Sequence, residues 1–533
     1  MKSGFRLLAA LALFWWLLAC LQGCGGLPFS YPRPVSTALS LPEKTSLGRA
    51  SKALEAALPG MSGCHLLATG SEAFTARVFL TDRAEKTLDL QYYIFETDLT
   101  GKFLLDRLLN AAERGVRVRL LLDDWRLARE MDWSLALVET NPNIEVRVFN
   151  PLGGLRSSLP SRVLGVLLGP ERLKGRMHNK AFIADNSVAI VGGRNIADEY
   201  FGARDDVNFG DMDIMTVGPV TRKISGVFDD YWNSVLAIPI QALEKRRPTS
   251  AELKANRDFL AANREYVHKS GFAMRLLNPD FLKRMEAGSI PFVWAPAEVI
   301  FDDPLKVIRP EDFSHTVMMG PEIRSLLEKA RREALVITPY FVPTKAGVRW
   351  FKKLMGRGLT VKVLTNSLAS TDSALAQGGY ARYRKPLLQT GVELYELKPN
   401  PDQKRFWDTI SLGGSSRGAL HAKTLIVDGQ VVFVGSFNLD PRSARLDTQN
   451  GIVIRSGELA AQARRLFARG VSPSNAYRVQ LAAASPDAAG GRGLIWVTEE
   501  NGREVRYFHD PRTGMWRRLG VKVLSWLAPE SML

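Results

Sequence analysis

Two segments of this 533-residue chain carry the same short set of reactive residues. One is His178, Lys180 and Asp185; the other is His421, Lys423 and Asp428, and both read HxKxxxxD. In extended backbone, positions i and i+2 project to the same side, so each histidine and its lysine point together. A neutral imidazole is a competent nucleophile toward phosphorus, and an ammonium beside it stabilises the negative oxygens of a phosphate. Each motif is followed by a glycine-led turn, Gly192-Gly193-Arg194-Asn195 or Gly435-Ser436-Phe437-Asn438. From there Asn195 and Asn438 can donate amide hydrogens to the same oxygens, and Ser436 can add a hydroxyl. One copy gives half of a phosphodiester-transfer site. Two copies about an approximate two-fold axis give a nucleophile on one side and an acid on the other. One histidine attacks phosphorus; its counterpart protonates the leaving alcohol and then deprotonates the incoming alcohol or water. The scheme calls for no metal and no cofactor, because lysines and amides supply the charge that carboxylate-bound ions supply in two-metal chemistry. Asp185 and Asp428 fall at turns and are expected to brace them rather than touch substrate.

The elements that must position these residues are themselves repeated. Arg114 to Leu121 is echoed by Arg357 to Leu364, and Met177 to Asn195 by Leu420 to Asn438. Leu88 to Ile94 pairs with Ala334 to Tyr340, and Asn143 to Val146 with Gly391 to Leu394. Each half offers an apolar strand (88–95, 334–341), a helix, a buried strand (116–122, 359–365), another helix and another strand (144–149, 392–397). Gly101 to Arg114 shows the helical spacing in Leu104, Leu105, Leu108, Leu109 and Ala112. Strands alternating with helices predict parallel sheets covered by helices. A strand bearing HxK, a turn at Asp185-Asn186 or Asp428-Gly429, and a return strand then predict a hairpin. The expected fold is α/β, with two α/β/α lobes related by pseudo-two-fold symmetry and the active site at their interface. The lobes are expected over 55–236 and 293–475, with a helical linker or lid over 237–292 and a separate tail over 476–533.

Composition narrows the partners. Hydrophobic residues at 46% and charged residues at 24% exclude a disordered chain. The net charge of +16 favours polyanionic surroundings, either nucleic acid or an anionic membrane. Residues 1–24 resemble a targeting segment: Lys2 and Arg6, an apolar run from Leu7 to Leu21, then small residues. Cys20 and Cys24 each end a lipobox-like tetrad, so lipidation, an uncleaved anchor and a plain cleaved signal are all open. The only other cysteine is Cys64, so no disulfide framework is expected. The C-terminal stretch Trp516 to Leu527 mixes aromatics, basics and aliphatics and suits a segment lying on an anionic membrane. Tyr380, Arg382, Tyr383 and Arg384 are candidates for a headgroup entrance, and Leu152 to Leu168 for a lipid-facing loop.

The doubled motif resembles the phospholipase D superfamily. Leu88 to Ile94, Gly378 to Arg384, Gly435 to Asp440 and Gly502 to Tyr507 are most similar to the bacterial cardiolipin synthases, the C type in particular. The resemblance implies a ping-pong transfer of a phosphatidyl group through a phosphohistidine, with His178 as nucleophile and His421 as acid and base. The near-equivalence of the halves leaves the reverse assignment open. It also implies a group holding each histidine's far nitrogen. For His178 the candidates are Asp211 and Asp213; for His421 they are Asp447 and Gln449. Relatives usually present Glu where Gln449 stands, and Gln can accept a hydrogen bond without stabilising an imidazolium by charge. The implied substrates are membrane phospholipids, phosphatidylglycerol first and phosphatidylethanolamine as a further candidate. If residues 1–24 are a cleaved export signal, the site is expected to face the periplasmic side of a bacterial membrane. The acceptor is a lipid alcohol, giving cardiolipin, or water, giving phosphatidic acid. A nucleic-acid phosphodiesterase fits the charge but not the export signal and apolar tail, and a non-catalytic lipid-binding relative is suggested only by Gln449. An accessory protein is left open.

Overall fold

The computed structural model describes residues 31–127, 141–152, 174–243, 249–269, 276–309, 318–399, 417–482 and 493–527. The first half contains strands β1 (Ser62–Leu67), β2 (Thr87–Tyr92), β3 (Arg117–Asp123), β4 (Ile144–Phe149), β5 (Ala181–Ala184), β6 (Val188–Gly192), β7 (Val207–Gly210), β8 (Asp213–Val217), β9 (Ala237–Pro239) and β10 (Val293–Ala295). The second contains β11 (Ala297–Phe301), β12 (Glu333–Ile337), β13 (Thr360–Asn366), β14 (Glu393–Leu397), β15 (Arg417–Leu420), β16 (Thr424–Val427), β17 (Val431–Gly435), β18 (Asn450–Arg455), β19 (Ala476–Leu481), β20 (Leu494–Glu500) and β21 (Arg503–Tyr507).

Two large sheets result. Their orders are β10-β1-β8-β6-β5-β2-β3-β4-β9 and β11-β18-β17-β16-β12-β13-β14-β19-β20-β21. From β1 to β9 and from β11 to β19, the two run through the same sequence of equivalent strands. The sheets are mixed rather than parallel. Within these two sheets, among the described residues, only β2, β3, β4 and their counterparts β12, β13, β14 pair in parallel. The β5–β6 and β16–β17 hairpins reverse the chain, so the strands beyond them are antiparallel.

Local chemistry accounts for those hairpins. Asp185 and Asn186 have φ of 50° and 51°, and Asp428 and Gly429 have 53° and 66°. Two successive positive φ values form a β-turn, closed by Ser187 N donating to Ala184 O and by Gln430 N donating to Val427 O, each at 3.0 Å, and Asn, Asp and Gly tolerate it best. The aspartates then do a second job. Asp185 accepts hydrogen bonds from the backbone N–H groups of Glu85, Lys86 and Thr87 at 2.9, 2.8 and 2.8 Å. Asp428 does the same for Arg331, Arg332 and Glu333 at 2.9, 2.7 and 3.0 Å. Each motif aspartate thus ties its hairpin to the start of the central strand.

Helices Gly70–Arg83 and Leu99–Glu113 cover the outer face of the first sheet, and Met319–Glu328 and Thr344–Met355 that of the second. Asp98 caps Leu99–Glu113 by accepting from Gly101 N, and Phe103, Leu104 and Leu108 face the core. Between the lobes lies one shared apolar core. Ile183, Val191 and Ile214 of the first lobe pack in it with Ile426, Val434 and Ile452 of the second. The lobes are therefore fused, and the site at their boundary is rigidly framed.

Two expected boundaries differ. The stretch 237–292 is not a lid: β9 joins the first sheet, and helix Ser250–Lys269 packs outside that lobe. There Asn263 donates to the Lys102 carbonyl at 3.0 Å, and Arg264 pairs with Asp106 at 3.1 Å. Nor do residues after 475 form a separate tail unit. Strands β19 to β21 extend the second sheet, because Val479 and Trp496 complete its outer core. Among the described residues no helix is long and apolar enough to cross a membrane. Cys20 and Cys24 lie outside the described residues, as does most of Leu152 to Leu168.

Candidate active site

Each HxK segment stands just ahead of its hairpin rather than inside a strand. His178 and Lys180 precede β5, and His421 and Lys423 lie between β15 and β16. Both segments are held by the opposite lobe. His178 N donates to Thr448 O, and Thr448 N to Arg176 O, each at 2.9 Å. In the other lobe β15 pairs in parallel with β7, and His421 N donates to Gly210 O at 2.8 Å.

This lacing exchanges the groups behind the histidines. Asp211, expected to serve His178, instead meets His421: Nδ1 of His421 lies 2.6 Å from Asp211 Oδ2. Gln449, expected to serve His421, instead accepts from Nδ1 of His178 at 2.9 Å. The segment leading into β8 crosses onto the second lobe's motif, and the segment leading into β18 onto the first. Asp213 and Asp447 hold neither histidine. Asp213 pairs with Arg77 at 2.9 Å and Arg194 at 3.4 Å. Asp447 pairs with Arg442 at 3.1 Å and caps Arg176 N at 2.9 Å.

Gln449 is oriented, not merely present. Its Oε1 also accepts from the Ser436 hydroxyl at 2.7 Å, and its Nε2 donates to Ser443 Oγ at 3.0 Å. Its backbone N–H donates to Asp302 Oδ2 at 2.9 Å, a carboxylate matched by the buried Lys306 at 2.9 Å. The amide oxygen therefore faces Nδ1, which favours the tautomer with its proton on Nδ1 and a lone pair on Nε2. Ser436 is committed to this network, so its hydroxyl is spent on Gln449 rather than on the cleft.

Burial, then the Lys180 and Lys423 ammonium groups, hold His178 well below the usual histidine range; the Gln449 hydrogen bond opposes them weakly. His421 is also lowered by burial and by Lys423, with Asp211 pulling it back up. Burial opposes ionisation of Asp211, but His421, Lys423 and Arg194 outweigh it and hold the carboxyl below the usual carboxylate range. Burial brings Lys423 down to about 8 against the upward pull of Asp211 and Asp372. Lys180 Nζ donates to the His178 carbonyl at 2.6 Å and sits 5.4 Å from the Tyr93 ring centroid. Lys423 Nζ lies 3.0 and 3.1 Å from the His421 ring nitrogens. The Lys423 ammonium thus backs its own imidazole, while burial and then Lys423 push Lys180 well below the usual lysine range.

His178 and His421 line one cleft of about 490 Å³, with Asn195, Asn438, Asp447 and Gln449 also in its wall. Asn195 is fixed by Ile94 N at 3.2 Å and the Tyr200 hydroxyl at 2.8 Å. Several lining residues had no motif to announce them. The Tyr93 ring meets His178 edge-on at 5.2 Å; Tyr200 meets His421 edge-on at 5.1 Å, and Phe209 stacks on it at 5.3 Å. Arg442 and Glu199 each stand four residues beyond the asparagine of their half and both reach the cleft. Comparing the halves position by position would have found them as a charge reversal. On the His178 side Arg176 and Arg442 are matched by Asp123 and Asp447, whereas Glu199 and Asp372 make the cleft acidic toward His421. Tyr380, Tyr383 and Arg384 do not form an entrance. They are buried, with Arg384 paired to Glu396 at 2.8 Å and Asp510 at 2.9 Å.

Comparison with known proteins agrees with this geometry. The family described as "Cardiolipin synthase, PLD-like domain" matches residues 80–232 and 323–470, one span in each lobe. Cardiolipin synthase C of Escherichia coli is 38% identical over 479 residues, covering 89% of this chain and 97% of that protein. A cardiolipin synthase of Oceanobacillus iheyensis is 24% identical over 74% of this chain and 66% of its own length. Among solved structures, a phosphatidylserine synthase from Haemophilus influenzae shares the fold with a TM-score of 0.53, covering 80% of this chain and 91% of its own at 16% identity. Two matched spans on two equivalent lobes, together with a full-length relative, establish that the chain belongs to the cardiolipin synthase family of phospholipase D-type phosphatidyltransferases.

Proposed function

We propose that this protein forms cardiolipin from phosphatidylglycerol and a second phospholipid through a phosphatidyl-histidine intermediate on His178. The observation that carries the reading is the unequal backing of two imidazoles on one cleft, a neutral amide behind His178 and a carboxylate behind His421. With Nδ1 engaged, Nε2 of His178 is the nitrogen left to attack phosphorus. The P–N bond forms as the P–O bond to the leaving glycerol breaks, and His421 gives that glycerol its proton. The headgroup hydroxyl of a phosphatidylglycerol acceptor then attacks the same phosphorus, His421 takes its proton, and the P–N bond breaks. Lys180, Lys423, Asn195 and Asn438 stabilise the phosphoryl oxygens as charge builds. The work is done at a phospholipid membrane, on the periplasmic side if residues 1–24 act as an export signal, with Cys24 or Cys20 as the lipid acceptor.

The test is thin-layer chromatography of lipids from cells expressing wild type or His178→Ala, together with acid-quenched trapping of labelled phosphatidyl-enzyme. Cardiolipin made by wild type and lost in the variant, with label on His178, is the expected result. Phosphatidic acid in place of cardiolipin would assign hydrolysis. Label on His421 would reverse the roles.

A further inference from the structure

The geometry points to the outward face of the C-terminal helix Met515–Leu527 as a docking surface for an anionic lipid bilayer, set beside the mouth of the cleft. This rests on the phospholipid-transfer reading and deepens it. One side of the helix is packed: Val521 is buried, and the helix lies against Ala374–Ala381. The approach is close because residue 378 is glycine; a Cβ there would meet Ser525 N at 3.2 Å and Val521 O at 3.3 Å.

The other side has no cover among the described residues. Met515, Leu519 and Val523 follow one another at four-residue steps and are 63%, 47% and 47% exposed, with Trp516 beside them at 76%. Phe508, just ahead of the helix, is 74% exposed. Large apolar side chains standing in one exposed row mark an interaction site rather than ordinary surface. The exposed Lys522, one position before Val523, sets positive charge beside that row, with Arg518 half-buried one position before Leu519, on a chain of net charge +16. An apolar row edged by basic residues matches a surface of anionic headgroups over acyl chains, into which such a helix sinks by about 5–10 Å.

Position gives the row its use. The helix leans on the segment whose Asp372 and Leu375 line the cleft, and Arg517 donates to the Thr371 carbonyl at 3.3 Å. Docking there would place the cleft mouth against the bilayer, where a two-chain phospholipid can enter headgroup first without leaving the lipid phase.

The experiment compares full-length wild type with Trp516→Phe on phosphatidylcholine vesicles carrying brominated phosphatidylglycerol. All other tryptophans are common to both, so the difference in bromine quenching reports residue 516 alone. Wild type is expected to be quenched more, and the difference to shrink at about 0.5 M salt, where charges are screened. As a second readout, Leu519→Ser/Val523→Ser is expected to slow turnover of bilayer phosphatidylglycerol about five-fold or more. Its turnover of dispersed short-chain phosphatidylglycerol should stay unchanged. Equal quenching of wild type and Trp516→Phe overturns the proposal, including the case where sedimentation shows the face covered by a second copy. Quenching at Trp516 without any phosphatidyl transfer would sink the proposed reaction and leave the docking face standing.

Discussion

Nδ1 of His421 lies 2.6 Å from Oδ2 of Asp211, and the two residues belong to different lobes. The matching bond from His178 crosses the other way, to Gln449 at 2.9 Å. The backbone symmetry is thus broken in charge at the one place where it matters for proton transfer. A carboxylate stabilises an imidazolium; an amide oxygen fixes a tautomer without favouring the charged form. His421 is accordingly equipped to carry a proton, and His178 to remain neutral.

Removing the Asp211 charge while keeping its shape isolates that role. Asp211→Asn should lower kcat by about 10²–10³-fold, the usual scale for losing a general acid. It should also lower the His421 pKa further, so the residual activity is favoured at lower pH. Steady-state kinetics across pH would expose the idea as wrong if kcat were unchanged.

Gln449 offers the converse change. Burial and the two lysines hold His178 below the ordinary histidine range, so the acidic limb of kcat/KM for wild type should lie below about 6.5. Gln449→Glu places a carboxylate against Nδ1 and favours the protonated ring. The limb should therefore move to higher pH, with activity lost sooner on acidification. An unmoved limb in the pH profile would mean that His178 is not the group required neutral.

Lys423 predicts the basic limb. Its ammonium titrates at about 8, so charge stabilisation is present below that pH and lost as pH rises through it. The kcat/KM profile of wild type should fall above about pH 8, measured between pH 7 and 10. Lys423→Met should remove most of the activity. A profile flat to pH 10 would contradict the assignment.

The two motif aspartates should separate stability from chemistry. Asp185 is buried and holds three backbone N–H groups, so Asp185→Ala should cost about 2–4 kcal/mol. Two of the three donors facing Asp428 lie at the surface, where water can replace the carboxylate, so Asp428→Ala should cost about 1 kcal/mol. Thermal melts should rank the variants in that order. Per folded molecule at low temperature, turnover should stay within a few-fold of wild type; a hundred-fold loss in a fully folded variant would place the aspartate in the chemistry.

Much of this protein was written locally. The two HxK segments, their i and i+2 geometry, the Asp-Asn and Asp-Gly turns and the strand-helix alternation each depend on a handful of neighbouring residues. Backbone sterics and hydrophobic period set these, so the lobes and the paired motifs could be read directly. The mixed direction of the sheets could have been anticipated too, since a hairpin must reverse the chain. The histidines' partners could not. His421 and Asp211 are 210 positions apart, and His178 and Gln449 are 271 apart. Reading the repeat half by half assigned each histidine a partner from its own half. Burying the shared apolar core swings the segment before β8 across one motif and the segment before β18 across the other. Tyr93, Phe209, Arg442 and Glu199 entered the cleft by the same route. Only the docking of one lobe on the other decides which side chains meet, because that contact is set by surfaces assembled from the whole length of the chain.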